Sequence, residues 1–515
     1  MYFIRQKIHW EAILGQIGLL LHVPAVMAAL TLVIALIFKE DYAYLPFGSL
    51  AVSGIAIGQL FYRLSKKAER PHLWDAMIIA GLGWLLCSFT VAIPIYWIAQ
   101  FLVSQGNPSE LLIVFSQPTN ALFEAFSGFT STGLTMMQGE GFLPYTLQWW
   151  RSFLEWVGGL GLVVFILALT HLNKEGYQLY YAEARSEQMS KNITGTAHWI
   201  WGLYSAFTSL SLLLFLFGGM PFWEALNHAL TVISTGGFTL TNSSFEPYST
   251  TLQIMALFMM LLGAISFGIH YRVIREGHFS VFWKSAQIKL LFILAIGGGL
   301  LLILLDLWNK TDLGWMHPYF QWISALTTCG FSSTGLEYFS PMAKLFLIMG
   351  MFIGGTTGST AGGIKLRRLL YIVAGVFLRI VTMTRSKENQ ITEDYQEVST
   401  SQEEPPGIDL PPTEKSERLF TAGVLFTLWT STLFFGWFLI LRWTPKGGAL
   451  NALFDVTSAM SNVGLSSGLL TPDFSTIGKW VFMFLMWVGR LEIIPVLILL
   501  LTLPMIFKRR QHHGK

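Results

Sequence analysis

The sequence predicts an all-α polytopic membrane protein: four helix–pore loop–helix repeats around a pseudo-fourfold pore, preceded by two N-terminal transmembrane helices. Two observations carry this. The 515-residue chain is 53% hydrophobic and only 12% charged, with a mean hydropathy of +0.53, whereas soluble domains carry about 25% charged residues. One short string, VISTGGFT at 232–239, also has three relatives: FTSTGLT at 129–135, LTTCGFSS at 326–333 and MSNVGLSS at 460–467.

Apolar runs near the length that crosses a bilayer core lie at 15–37, 46–62, 76–100, 196–218, 287–307, 419–441 and 477–506. The first is too long for a cleaved signal peptide. Of the 33 Lys and Arg, 25 fall in the two termini and in 63–70, 174–191, 272–289 and 365–418. The positive-inside rule makes that side cytoplasmic, both termini included, in a multi-pass protein of the cytoplasmic (inner) membrane. A net charge of +3 gives no reason to expect nucleic acid as a partner; the lipid bilayer is one. Cys87 and Cys329 offer neither a disulfide framework nor metal spacing.

The repeat becomes plain when Gly133, Gly237, Gly330 and Gly464 are aligned as column zero. Column +2 is then Thr135, Thr239, Ser332 and Ser466, and column −3 is Thr130, Ser234, Thr327 and Ser461, hydroxyl-bearing throughout. Column −6 is Ser127, Thr231, Ser324 and Ser458. A second landmark follows in WVGG, LLGA, FIGG and WVGR. Its first glycines, Gly158, Gly263, Gly354 and Gly489, lie 25, 26, 24 and 25 residues beyond column zero. Agreement over that many columns marks a fourfold internal repeat. It divides the chain into a two-helix extension (1–70), repeats at 71–180, 181–280 and 281–385, a cytoplasmic acidic linker (386–416), and a fourth repeat with a basic tail (417–515).

Each repeat reads as a spanning helix, a half-length helix, the Gly/Ser/Thr segment and a second spanning helix. The half-helices, near 118–130, 221–233, 317–327 and 449–461, are too short to cross. Irregular backbone at membrane depth survives only against protein or a watery cavity, so four equivalent loops meet around one axis. The expected filter is Ser131, Thr132 and Gly133; Thr235, Gly236 and Gly237; Thr328, Cys329 and Gly330; Asn462, Val463 and Gly464. Glycine at column zero permits backbone angles that turn carbonyls toward the axis. No acidic residue lies within three positions of any of these glycines. A ring of neutral oxygens is the pattern of a potassium filter, with K⁺ held at the filter only. A lone small-residue cluster would be a packing site; four in register argue otherwise. Two alternatives share these features: a Na⁺- or H⁺-coupled symporter of the same fold, and a broken-helix secondary transporter.

Enzyme chemistry has little support. GGTTGSTAGGIK at 354–365 lacks the Gly-Lys-Ser/Thr ending of a phosphate loop. Its first ten residues, Gly354, Gly355, Thr356, Thr357, Gly358, Ser359, Thr360, Ala361, Gly362 and Gly363, include five glycines, each costing a helix about 1 kcal/mol relative to alanine. A break is expected there, on the ion path, as a gate or else as a close-packing surface. Lys365, Arg367 and Arg368 then mark re-entry into the cytoplasmic interface. Arg490 stands in an apolar run, where a cation costs roughly 2.5–3.5 kcal/mol and needs water or a partner. Glu492, two positions away, does not share its helix face. The tract 388–418, acidic and without apolar periodicity, reads as a linker.

The strings GWLLCSFTVAIPI (83–95), WVGGLGLVVF (156–165), FIGGTTGSTAGGIK (352–365) and WVGRLEIIPVL (487–497) resemble the Trk/Ktr/HKT superfamily of potassium transporters. From about residue 75 onward the chain is most similar to the membrane subunit of bacterial and archaeal Trk systems. The two extra N-terminal helices fit the Trk branch, and Gly133 differs from the serine of the plant sodium-selective branch. The resemblance implies potassium uptake by a homodimer with one pore per subunit, and no covalent cofactor. It also implies a cytoplasmic TrkA-type ring that binds the nucleotide itself and couples ATP/ADP or NADH to gating. It implies, further, that residues 354–363 block the pore and that Arg490 lies just below the filter and regulates ion passage.

Overall fold

The computed structural model describes residues 8–66, 68–69, 71–106, 109–137, 143–162, 164, 167, 189–190, 193–241, 243–311, 313–384 and 412–502. The expected linker (386–416) and basic tail thus lie largely outside the described residues. Among those described, six helices are long and apolar enough to cross a membrane, or eight if two bent pairs each count as one span. No β-strand occurs among them; a single isolated bridge pairs Ile353 with Ile364.

The N-terminal pair follows from its small residues. Helices α1 (Trp10–Leu20) and α2 (His22–Phe38) run on as one apolar stretch of 29 residues, and α3 (Tyr44–Leu64) returns beside it. Gly18 lies against the Gly58 carbonyl and Gly54 against Ala25, the close backbone approach that small residues allow within lipid. The 32-residue α4 (Leu73–Ser104) carries Pro94 in its interior and packs on α1 and on the first half-helix.

The half-helices form within a residue or so of where they were expected: α5 (Pro118–Phe129), α8 (Phe222–Ile233), α12 (Met316–Thr327) and α16 (Ala449–Met460). Each has 12 residues, about 18 Å at 1.5 Å per residue, well short of the roughly 30 Å hydrocarbon core. They are sealed in protein rather than lipid, with every residue from Asn120 to Phe129 of α5 buried. Around them stand α6 (Tyr145–Leu160), α7 (Ile193–Phe217), α9 (Thr250–Gly263), α10 (Phe267–Glu276), α11 (Ala286–Asn309), α13 (Pro341–Phe352), α14 (Leu366–Thr384), α15 (Pro412–Ile440) and α17 (Thr476–Arg490).

One expectation is corrected. The second helices of the first, second and fourth repeats are not continuous spans, whereas the break expected at 354–363 in the third is present. The run 477–506 is two helices, Thr476–Arg490 and Ile494–Thr502, bent by 116°, and α9 and α10 meet at 91°. The first repeat's α6 stops at Gly161, with φ +96°, and α13 ends at Phe352. In the first, second and fourth repeats the interruption follows the landmark glycine, in the third it begins just before Gly354, and carbonyls freed in the first two find partners on other repeats. Gly263 O and Ala264 O accept from Thr360 and Thr356, while Gly158 O and Gly159 O accept from Arg490. Tertiary donors have replaced helix continuation.

The landmark glycines bring these helices against the half-helix ends. A methyl on Gly158 would lie 2.1 Å from the Phe129 carbonyl oxygen, and one on Gly489 would lie 2.0 Å from that of Met460. Backbone cannot yield as a flexible side chain can. Gly489→Ala is therefore expected to lower the unfolding midpoint of the solubilised protein, by an overpacking cost of about 1–3 kcal/mol. Gly202→Ala, at a helical glycine with open space around it, should leave the midpoint unchanged or raise it by up to about 1 kcal/mol. Equal midpoints for the two variants would contradict the packing assigned to Gly489.

Candidate functional site

The four Gly/Ser/Thr segments share one backbone turn. At column −2, Ser131, Thr235, Thr328 and Asn462 are left-handed, with φ of 56°, 51°, 54° and 51°. The next residue donates its N–H back to column −6: Thr132 to Ser127 O (2.8 Å), Gly236 to Thr231 O (3.0 Å), Cys329 to Ser324 O (3.0 Å) and Val463 to Ser458 O (2.9 Å). This closes each half-helix as a Schellman-type cap, here without glycine at the left-handed position. Column zero is left-handed again, at φ 84°, 93°, 86° and 97°, and there glycine has the lowest cost.

Neighbouring turns touch in cyclic order. A side chain on Gly133 would meet Gly236 O at 1.9 Å, on Gly237 Cys329 O at 2.5 Å, on Gly330 Val463 O at 2.0 Å, and on Gly464 Thr132 O at 2.5 Å. The column −1 carbonyl of each repeat thus lies against the column-zero glycine of the repeat before it, and the fourth contact returns to the first. Side chains fasten two of the seams. Ser131 Oγ donates to Ser234 O at 3.0 Å, and Asn462 Nδ2 donates to Thr132 Oγ1 at 2.8 Å. All twelve residues of the expected filter are thereby brought together at one ring.

Residues 354–363 leave the helical path and cross the helix-side rim of that ring. Thr356 N donates to Ala264 O at 2.9 Å, and Thr360 Oγ1 donates to Ile233 O at 3.0 Å and Gly263 O at 2.9 Å. Gly362 N reaches Thr328 Oγ1 at 2.7 Å and Gly363 N reaches Ser461 O at 3.0 Å. Gly355 and Ser359 are buried here, Ser359 bonding back to Thr356 O at 2.7 Å. Thr357 N donates outward to Gln287 Oε1 at 2.9 Å, and Gly358 O accepts from Phe267 N at 3.2 Å. Lys365 Nζ folds back onto Ala361 O.

Arg490 is half-buried. Its guanidinium donates to Gly158 O and, at 3.1 Å, to Gly159 O, with Cζ 5.2 Å from the Trp84 ring centroid. It therefore stands at the C-terminal end of α6, where a helix favours a cation. Glu492 pairs with Arg368 at the start of α14 instead. Among the described residues no group of three or more His, Cys, Asp or Glu could hold a metal ion.

Residues 58–508 match the family described as TrkH, cation transport protein. The chain belongs to that family. It is 30% identical over 501 residues to an uncharacterized cation transporter of Methanocaldococcus jannaschii, covering 96% of each chain. It is 27% identical over 500 residues to the Trk system potassium uptake protein TrkH of Halomonas elongata, covering 95% of this chain and 97% of that one. The crystal structure of the potassium transporter TrkH from Vibrio parahaemolyticus has the same fold, with a TM-score of 0.77 at 24% identity, over 96% of this chain and 99% of that one.

Sequence reasoning missed a buried polar shell in this TrkH-family chain. Arg151 and Lys479 are buried in it. Arg151 Nε pairs with Glu124 at 2.7 Å and its guanidinium lies 4.1 Å from the Phe238 ring centroid, while Lys479 Nζ donates to Asn120 Oδ1 at 2.6 Å. Glu155 accepts from Phe238 N at 3.1 Å. One signal was available: column −9 is polar in all four repeats, as Glu124, His228, Gln321 and Asp455.

Proposed function

We propose that this chain takes up potassium across the cytoplasmic membrane through the ring formed by Ser131–Gly133, Thr235–Gly237, Thr328–Gly330 and Asn462–Gly464. The observation carrying this reading is the cyclic contact of column −1 carbonyls with column-zero glycines. Four neutral peptide oxygens so gathered can replace the hydration shell of a monovalent cation without a charged ring. Four half-helices end at the same place and present their negative ends to it. The names of the Halomonas and Vibrio relatives agree, both speaking of potassium.

Residues 354–363 serve in this reading as the gate, and the hydrogen bonds to Thr328 and Ser461 hold it closed against the ring. Arg490 places a positive charge on the same path and raises the barrier to cations. The cationic side of the chain, with both termini, faces the cytoplasm, where a nucleotide-binding regulatory ring of the TrkA type moves the gate. The protein works as a homodimer with one pore per subunit, and each pore is built from repeats at 71–180, 181–280, 281–385 and 417–515. Ion flux from purified protein in liposomes, with voltage and proton gradient set separately, tests the reading. A passive pore needs no co-ion, and a symporter does.

Four variants test its parts. Gly133→Ser and Gly464→Ser are each expected to lower the potassium-to-sodium flux ratio severalfold, because a side chain at column zero displaces a ring carbonyl. Wild-type ratios in both, at normal expression, would remove the filter assignment. Arg490→Gln is expected to raise flux or alter its voltage dependence; unaltered transport with a lowered unfolding midpoint would assign Arg490 to α6 capping alone. Deletion of 355–361 is expected to increase flux and loosen its dependence on the regulatory partner while leaving ion preference intact. A deletion variant that assembles normally yet conducts less rules out the gate.

A further inference from the structure

The ring is fixed on its helix side by the four caps, but each segment must also be held where it leaves. In the first repeat the column +2 hydroxyl, Thr135 Oγ1, donates to Glu124 at 2.8 Å, and the following N–H, Met136, donates to the same carboxylate at 3.1 Å. The fourth repeat does likewise. Ser467 N donates to Asp455 at 2.6 Å, and Ser466 Oγ lies 3.5 Å from its other oxygen. In the third, Ser332 Oγ lies 3.2 Å from Gln321 Oε1 while also donating to Thr334 O. All three acceptors occupy column −9 of their own half-helix, and all three are buried.

The second repeat departs in an informative way. Its column −9 residue is His228, whose ring Nδ1 bonds to Glu224 O at 2.7 Å, and Thr239 Oγ1 turns instead to Thr241 O. The hold on this segment comes from the first repeat. Glu155 accepts the Phe238 N–H at 3.1 Å, and Arg151 Nη1 donates to Thr239 O at 3.2 Å. Each of the four exit segments is therefore clamped from behind, by its own half-helix or by a neighbour.

We propose that Glu124 and Asp455 are positioning residues for ion selectivity. Resting on the filter reading above, the inference is that these buried carboxylates set the carbonyl ring by holding the exit segments, without touching the ion. The loss of hydrogen bonds buried within protein is not made good by water. A segment freed at columns +2 and +3 lets column zero shift. The ring's oxygens then no longer discriminate between cations of different size and hydration.

The test uses the full chain in liposomes and reads the potassium-to-sodium flux ratio, which a purely structural defect at normal expression would not move. Asp455→Ala is expected to lower the ratio by about fivefold or more, the effect of one lost buried hydrogen bond. Asp455→Asn, which keeps an acceptor oxygen for the Ser467 N–H, restores most of it. Thr135→Val and Ser466→Ala remove only the hydroxyl partners and carry the same expectation at smaller size, should Asp455→Ala fail to fold. Gly464→Ser serves as the reference. If it lowers the ratio while Asp455→Ala, or failing that both hydroxyl variants, leave it within about twofold of wild type, a change smaller than one hydrogen bond, the positioning role is overturned and the filter stands. If Gly464→Ser itself has no effect, the filter reading falls and the positioning role with it.

Discussion

Peptide groups at membrane depth have no water to bond to, and almost everything in this chain follows from that constraint. A half-helix that stops midway exposes carbonyls it cannot satisfy alone. The left-handed turn at Ser131, Thr235, Thr328 and Asn462 returns two N–H groups to the last helical turn. The same reversal leaves the column −1 carbonyl free of its own helix and against the preceding repeat. One device thus ends the helix, seals its terminus and supplies the ring with oxygen. Glycine at column zero is then required by contact as well as by angle, since the neighbour's carbonyl already occupies the side-chain direction.

Equivalent backbone does not entail equivalent support. Three exit segments are tied by their own half-helices, and the second is tied by Glu155 and Arg151. The Arg151–Glu124 pair is fully buried, and burial of two charges is costly unless further hydrogen bonds complete their shells. Here they do: Glu124 also accepts from Thr135 and Met136, and Arg151 donates to Thr239 O. Arg490 on the α6 carbonyls and Lys479 on Asn120 follow the same logic on the opposite faces of the ring. Several of the long-range polar contacts join two repeats.

That distribution explains what the sequence made legible. Column zero and the half-helix limits were readable because every repeat meets the same local demand with the same residue type. Column −9 escaped notice because glutamate, histidine, glutamine and aspartate share only polarity, and three of them act alike only through an oxygen acceptor. The interrupted second helices were visible in the third repeat, whose glycines announce the break. They were invisible in the second and fourth, where Ala264–Ser266 and Leu491–Ile493 carry neither glycine nor proline. Glu492 and Ile493 take positive φ there, at 55° and 76°, an uncommon state for a β-branched residue that tertiary contact sustains. The partner of Arg490 could not be read at all, because Gly158 and Gly159 lie more than three hundred positions away.

The third repeat shows how the ring and the 354–363 loop come to share atoms. In the first, second and fourth repeats the landmark glycine lies against the carbonyl four positions before column zero, at Phe129, Ile233 and Met460. In the third, Gly354 lies against Gly362 O, within the loop itself. Freed from its own half-helix, the loop extends across the ring and bonds to Ile233 O, Thr328 Oγ1 and Ser461 O, all on half-helix caps. Thr328 is the left-handed residue of the third cap, and Ser461 immediately precedes that of the fourth. Moving the loop therefore strips hydrogen bonds from the turns that aim the ring carbonyls. In this fold the loop and the ordered ring are one hydrogen-bonded unit, and under the proposed gating the exit clamps on the far side would hold the carbonyls in place once the loop moves.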